Sequence, residues 1–178
     1  MEEAIAAMLS GEDLQRLIPE SKLILHSDLD NYERVEAIFP PAELPNVCFL
    51  LLEGAHTPDG VSGHWVCLID RPRDIVFFDP YGASPEEAYQ YIKGAFREGT
   101  HMVDLLRGAR KPVLYDPTRY QKKHASVATC GRWCVLRAAL QDLSPREFNR
   151  VVVSLCRVLR MSPDQMVTFV TEAFLSAP

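Results

Sequence analysis

The sequence has no long hydrophobic run. Nowhere do eighteen apolar residues stand together, which excludes a readable membrane-spanning helix. The first residues, Met1-Glu2-Glu3-Ala4-Ile5, are acidic and lack the basic segment that opens a signal peptide. We therefore expect a protein that is not secreted, that functions in a cytosol-like compartment and that has no membrane partner.

Cysteine is scarce and its number is odd. No two of the five cysteines form a Cys-x-x-Cys pair, the set being Cys48, Cys67, Cys130, Cys134 and Cys156. A disulfide framework needs dense, paired spacing, and a structural zinc site needs two close pairs of Cys or His. The sequence therefore predicts reduced thiols, at least one of which could be reactive, and neither a metal nor another cofactor.

Positive charge is also in short supply. The formal net charge is −5 and the pI is about 5.5, which argues against a nucleic-acid-binding surface. Basic residues gathered between Arg107 and Lys123 could form a local patch, yet we expect no nucleic-acid partner. A length of 178 residues with 47% hydrophobic content suits one globular domain over residues 1–178, and we expect a monomer.

Three segments carry the sequence of a capped helix start. Each has a Ser, then Pro, then an acid or amide three residues after the Ser, in the stretches Ser84 to Glu87, Ser144 to Glu147 and Ser162 to Gln165. Apolar residues at helical spacing follow the last two starts, so the C-terminal third is predicted to be helical. A further short helix is predicted to end near Ile18, ahead of Pro19.

The middle of the chain has the pattern of strands. Short apolar runs bounded by turn residues cover Val47 to Leu52, Trp65 to Ile69 and Ile75 to Phe78. Runs of strand flanked by runs of helix are typical of an α+β fold rather than of a regular βαβ repeat. The predicted fold class is therefore α+β.

His64 and Asp79 stand at the outer ends of the second and third predicted strands. A tight hairpin centred between Arg71 and Pro72 would place them directly opposite each other, with Cβ atoms about 4.5–5.5 Å apart. A carboxylate there would accept from one imidazole nitrogen and fix the ring's tautomer, as a base serving a nucleophile requires. Each residue alone has a structural interpretation, as part of a turn or a strand edge. Their pairing favours the functional one.

Cys130 follows a turn of small residues and begins a predicted helix. A helix N-terminus favours thiolate through its dipole and its free N–H groups, and a neighbouring imidazolium favours it further. Gly131 has no side chain, so a substrate backbone could approach and the Cys130 N–H could face a developing oxyanion. Cys67, Cys134 and Cys156 fall inside strands or helices and are interpreted as structural.

Four short motifs occur in a fixed order: His64-Trp65, then Phe78-Asp79-Pro80-Tyr81-Gly82, then Tyr120-Gln121, then Thr129-Cys130-Gly131. This order resembles the signature of the adenain-type viral maturation proteases and the related SUMO proteases. The resemblance implies a small central mixed β-sheet flanked by helices. It implies that Cys130 attacks, His64 is the base, Asp79 orients it and Gln121 donates to the oxyanion. It also implies that Trp65 lines the substrate channel.

The same resemblance implies a substrate and a setting. We expect a thiol endopeptidase that cleaves a protein or polyprotein after small residues, at glycine-containing sites, in structural precursors of a virus or virus-like element. The host cytoplasm or nucleus is the expected location, with packaging in the virion as a further expectation. The need for an activating peptide or partner is left open.

Several alternatives stay open at this point. The nearest is a protease that removes ubiquitin-like modifiers, and a YopJ-like acetyltransferase would share the order of His, acid and Cys. A chymotrypsin-like fold would need strands after the nucleophile, where helices are predicted. An inactive binding domain is the non-enzymatic alternative. His124 is a rival base that has no carboxylate placed to orient it, and His56 is interpreted as part of a turn.

Overall fold

The computed structural model describes residues 1–41, 46–57, 60–92 and 101–175. Five strands are described: β1 (Lys22–Leu25), β2 (Asn46–Thr57), β3 (Gly60–Asp70), β4 (Ile75–Phe78) and β5 (Val113–Tyr115). The α-helices are α1 (Glu2–Ala6), α2 (Gly11–Leu17), α3 (Pro85–Ala88), α4 (His101–Arg107), α5 (Cys130–Ala139), α6 (Pro145–Leu159) and α7 (Pro163–Leu175). Short 3-10 helices span His26–Asn31, Val35–Ile38 and Tyr89–Tyr91. Each described helix is too short or too polar to cross a bilayer.

The strands form one mixed sheet in the order β1-β2-β3-β4-β5. The two outer pairs, β1 with β2 and β4 with β5, are parallel, whereas the two inner pairs are antiparallel. This arrangement confirms the predicted α+β class with a small central mixed sheet flanked by helices.

Helices cover both faces of the sheet, so its central strands are apolar on both sides. Along β2, Val47, Phe49 and Leu51 join the core beneath α2, α5, α6 and α7. The alternate residues Cys48, Leu50 and Leu52 join a second core with the 3-10 helices, α3 and α4. Period-two alternation therefore divides one strand between two hydrophobic cores.

The helix starts predicted from Ser-Pro are confirmed. Ser84 and Ser144 each accept from the N–H three residues on, and the Glu at that position accepts from the Ser N–H in return. Ser162 and Gln165 exchange the same two hydrogen bonds. The predicted helix near the N-terminus is α2, which ends at Leu17. The helix after Ser84 is short, because α3 gives way to a 3-10 turn at Tyr89.

The predicted register of the β3–β4 hairpin is wrong by two residues. Asp70 pairs with Ile75 and Cys67 with Phe78, because the connection closes through the Arg71 N–H and the Asp74 carbonyl rather than at Arg71-Pro72. A shift of two residues keeps every side chain on its predicted face. His64 and Asp79 are therefore diagonal neighbours beyond the last ladder pair, not directly opposite. His56, interpreted as a turn residue, lies on β2.

Candidate active site

The side chains of His64 and Asp79 meet at the end of the sheet, where β4 has just ended. His64 Nε2 lies 2.7 Å from Asp79 Oδ1, and both side chains are buried. Asp79 Oδ1 also accepts from the Tyr81 N–H at 2.8 Å. The carboxylate is thus fixed by its own turn, and the imidazole is fixed by the carboxylate. With Nε2 committed to Asp79, Nδ1 is the nitrogen left for a nucleophile.

Hydrogen bonds join the turn that carries Asp79 to the loop that carries Gln121. The Gly82 N–H donates to the Asp79 carbonyl at 2.8 Å, and Gly82 has φ of +71°, which a glycine adopts without strain. A Cβ there would also lie 2.6 Å from the Pro117 carbonyl oxygen. The Pro80 carbonyl accepts from the N–H groups of Tyr120 and Gln121, each at 3.0 Å. The Asp79-Pro80-Tyr81-Gly82 motif therefore brings the acid and the amide to one end of the sheet.

Cys130 is the first residue of α5, as the sequence predicts. Burial raises the pKa of its thiol, but a hydrogen bond and the positive charge of His64 outweigh this, together with the backbone N–H groups of Trp65 and Gly131, so the pKa lies below its usual range. A lowered thiol pKa favours the thiolate, which is the attacking form of cysteine.

The pKa of His64 is shifted in the opposite direction, upward. Burial lowers the pKa of the imidazole, but the hydrogen bonds to Asp79 and Cys130 and the charges of both groups raise it to about 9. The pKa of His64 rises because two anions stabilise the protonated ring. The two shifts together favour an imidazolium–thiolate pair of His64 and Cys130, with Asp79 beside the imidazolium.

The other cysteines have a different environment. Burial raises the pKa of Cys48 and carries that of Cys134 well above its usual value, and it also raises the pKa of Cys156. Cys67 lies fully buried on β3 and directs its thiol at the Cys134 carbonyl, 3.9 Å away. These four thiols pack as small apolar side chains.

Gln121 lies near the triad, but the structure shows its amide in another contact. Its side chain is buried, and Nε2 donates to the Val127 carbonyl at 3.2 Å. Oε1 has no partner among the described residues. An amide nitrogen carries two protons, so one remains for an oxyanion. Val127 itself lines the cleft above Cys130, whereas Gln121 is not among the residues that line it.

The predicted roles of Trp65 and Gly131 need correction. Trp65 does not line the cleft: its ring belongs to the core beneath α5, and its indole N–H donates to the Leu9 carbonyl at 3.2 Å. The strand alternation that turns His64 toward the site turns Trp65 away from it. A Cβ on Gly131 would meet Leu9 Cβ and Trp65 Cδ1, each at 3.3 Å. Gly131 is therefore small for core packing, not for the approach of substrate.

Two tyrosines beside His64 were missed by the sequence analysis. The Tyr81 ring stacks on the imidazole, with centroids 4.6 Å apart and planes 11° apart, and the Tyr91 ring lies 4.8 Å from it. Lys123 Nζ lies 5.2 Å from the centroid of Tyr91 and 5.8 Å from that of Tyr81. Tyr81 was available in the Pro-Tyr-Gly motif, whereas Tyr91 comes from a 3-10 turn that no local pattern ties to the site.

Asp164, on α7, is a third residue that the sequence analysis missed. Its Oδ1 accepts from the Thr129 hydroxyl at 2.6 Å and from the Trp133 indole at 3.2 Å, and its Oδ2 accepts from the Lys122 N–H at 3.0 Å. One buried carboxylate thus joins the first turn of α5 to the loop after Gln121. Only the tertiary fold brings it there.

The N-terminal segment 1–9 packs beside the start of α5. The Ile5 carbonyl accepts from the Ala128 N–H at 2.9 Å, and the Ala4 carbonyl accepts from Arg132 Nη2 at 3.3 Å. Met8 is half-exposed and lines the cleft. The segment therefore supports the loop before Cys130 and supplies one wall of the site.

An open cleft of about 460 Å³ lies above the triad. Its walls are His64, Cys130, the aromatic rings of Tyr81 and Tyr91, the glycines Gly54 and Gly63, Met8, Gln90 and the loop His124 to Ala128. His124 Nδ1 lies 2.8 Å from the Ser126 hydroxyl, so the rival base is in the cleft with a local partner of its own. In the described part of the chain, no three His, Cys, Asp or Glu side chains are grouped to hold a metal ion.

Comparison with known proteins identifies the family to which this chain belongs. No protein-family model matches the sequence. The chain belongs to the family of a virophage protein. That relative is uncharacterized protein V9 of the Sputnik virophage, which is 31% identical over 172 residues, covering 93% of this chain and 94% of V9.

Two solved structures are similar over nearly the whole chain. ChlaDub1 from Chlamydia trachomatis has a TM-score of 0.45 and 16% sequence identity, covering 98% of this chain and 95% of that one. The central domain of the uncharacterized Lpg1148 protein from Legionella pneumophila has a TM-score of 0.44 and 16% identity, covering 96% and 99%.

Proposed function

We propose that this protein is a cysteine endopeptidase with Cys130 as nucleophile, His64 as general base and Asp79 as the residue that orients His64. One observation carries the proposal. Of the five thiols, the one hydrogen-bonded to a carboxylate-oriented imidazole has a lowered pKa, and it opens onto a cleft. A structural cysteine needs neither the ion pair nor the opening.

The chemistry follows from the positions of the protons. Cys130 Sγ attacks the scissile carbonyl, a C–S bond forms, and the carbonyl electron pair moves to oxygen, which the Cys130 N–H and the second Gln121 Nε2 proton stabilise. The imidazolium gives its Nδ1 proton to the leaving amine as the C–N bond breaks, which leaves a thioester. His64 then takes a proton from water, whose oxygen attacks the thioester, and the thiolate leaves.

The shape of the cleft supports small residues at the cleavage site. Gly54 and Gly63 form part of its wall at the irregularity of the β2–β3 pair, where Gly63 pairs with Glu53 and the register then shifts. A Cβ on Gly63 would lie 2.2 Å from the Leu52 carbonyl oxygen, so this position cannot carry a side chain. A bare wall lets a substrate backbone lie flat against it. We propose structural precursors of a virus-like element as the substrate class, because the relative V9 is a virophage protein.

The proposal is tested by incubating the purified protein with a library of unstructured peptides that contain single or paired glycines, followed by mass spectrometry of the products. We expect cleavage on the carboxyl side of glycine, and its loss in Cys130→Ala and His64→Ala. His124→Ala, altered in the same cleft, is the matched control and should retain cleavage. No cleavage by the folded wild type would contradict the proposal.

Two further substrates separate the alternatives. Release of a fluorophore from the C-terminus of ubiquitin or of SUMO, without cleavage of glycine peptides, would assign the protein to the removal of modifiers. Transfer of a labelled acetyl group from acetyl-CoA to Cys130 would assign it to the acetyltransferases. Neither reaction is expected under the endopeptidase proposal.

A further inference from the structure

A second cleft continues from the first. It measures about 470 Å³ and shares Tyr81, Gln90 and Tyr91 with the cleft above Cys130. Arg119 and Lys123 line the second cleft but not the first. A substrate chain that leaves the triad in this direction passes over the tyrosines and reaches two positive charges.

Neither cation is neutralised by an ion pair within the described residues. The described ion pairs do not include Arg119 or Lys123, and Lys123 Nζ lies over the rings of Tyr81 and Tyr91. Glu87 is the one acidic side chain in the lining, and its Oε2 accepts from the Ser84 N–H at 2.9 Å. Its charge is therefore directed at the start of α3, which leaves the two cations as the charges available to a ligand.

The distance to the triad is short on the scale of a peptide. Lys123 Nζ lies 5.8 Å from the centroid of Tyr81, whose ring stacks at 4.6 Å on His64, so Nζ is no farther than about 10.4 Å from the imidazole. An extended chain advances about 3.3 Å per residue. The basic cleft therefore lies within about three residues of the bond that Cys130 would attack.

We propose that this second cleft is a specificity subsite for a carboxylate side chain, Asp or Glu, within about three residues of the bond to be cleaved. The position of that bond rests on the proposed function, whereas binding of the carboxylate does not. Arg119 offers a planar pair of donors to a carboxylate and Lys123 a point charge, and the tyrosine rings exclude water from one side. A neutral or basic side chain would gain no such contacts.

The test measures binding without catalysis. The Cys130→Ala variant is titrated with fluorescent peptides of a Gly-Ala background, in which a single Glu, Gln or Lys is moved through the three positions on either side of a central Gly. Fluorescence anisotropy at low salt gives each Kd. Arg119→Glu and Lys123→Glu are made singly and together on the same background. Arg73→Glu, at the hairpin on the opposite end of the sheet, is the control for net charge.

We expect Glu to bind about three- to tenfold tighter than Gln at one position or at two adjoining ones, because each exposed pair contributes little. The preference should shrink in 0.5 M salt, disappear in Arg119→Glu and reverse toward Lys in the double variant, while Arg73→Glu leaves it intact. Equal binding of Glu and Gln at every position, no binding of any peptide, or a Glu preference that survives the double variant would overturn the subsite.

The cleavage and binding experiments distinguish failure of the endopeptidase proposal from failure of the subsite proposal. A Glu preference without cleavage by the wild-type enzyme would overturn the peptidase and leave the subsite standing. Cleavage of glycine peptides without a Glu preference would overturn the subsite alone.

Discussion

Replacing His64 by Ala should move the reactivity of Cys130 to higher pH. The imidazolium is the main partner that holds the thiol pKa below its usual range. Without it, burial raises the pKa, and the thiol is at best an ordinary cysteine of pKa ~8.5. At pH 6.5 such a thiol is about 1% thiolate, so about one variant molecule in a hundred carries the reactive form.

Part of this loss is offset, because a more basic thiolate attacks faster. With a Brønsted slope near 0.4–0.5, each tenfold loss of thiolate is offset about threefold, so we expect a net decrease in the alkylation rate at pH 6.5 that is smaller than the loss of thiolate. The difference between wild type and variant should narrow as the pH rises toward 9, since both thiols then ionise.

The assay is alkylation by iodoacetamide between pH 5.5 and 9.5, with mass spectrometry of the peptide that contains Cys130. It needs no substrate, and the peptide readout ignores the half-buried Cys156. His124→Ala should keep the wild-type profile, since His124 contacts Ser126 and not the triad. Identical pH profiles for His64→Ala and wild type, both folded by circular dichroism, would refute the ion pair on which the mechanism depends.

Three further predictions follow from the same site. Peptidase kcat/KM should decline as the pH rises through about 9, where His64 loses the proton that the leaving amine needs, and a plateau to pH 10.5 would count against this role. Asp164→Ala leaves three donors without their carboxylate and should lower the free energy of unfolding by about 2–4 kcal/mol in urea titrations, whereas a change within 0.5 kcal/mol would show that water replaces it. In Gly131→Ala the added methyl group would press on Leu9 and Trp65. We expect the free energy of unfolding to fall by about 1–3 kcal/mol in the same titration.

Much of the fold could be predicted from the sequence, because the local sequence signals agree with the tertiary structure. The strands of the sheet's centre are apolar runs, and each Ser-Pro start forms the reciprocal hydrogen bonds that the motif specifies. The strands β1 and β5 were missed, since they are only four and three residues long and lie at the edges of the sheet. Such short segments have no pattern of their own and form by pairing with a neighbour.

The candidate site, like the fold, could be predicted from the sequence only in part. His64, Asp79 and Cys130 could be proposed because the residues next to them fix their places, even though the hairpin register was two residues off. The side on which Trp65 packs depends on which face α5 covers, which strand periodicity alone does not decide. Asp164 is separated from Thr129 by 35 residues, and only the packing of α7 on α5 brings them together.

The burial of α5 bears on how the protein loses its reactivity. Every residue from Cys130 to Ala138 is buried, and Trp133 and Arg137 are wholly enclosed. Amide protons in such a helix exchange with solvent only when most of the domain opens. The reactive thiolate also needs β3 and the end of β4 in place, so it exists only in the assembled molecule. The rate at which Cys130 is labelled at mildly acidic pH therefore measures the folded fraction, and heat or denaturant should abolish labelling at the same midpoint as global unfolding.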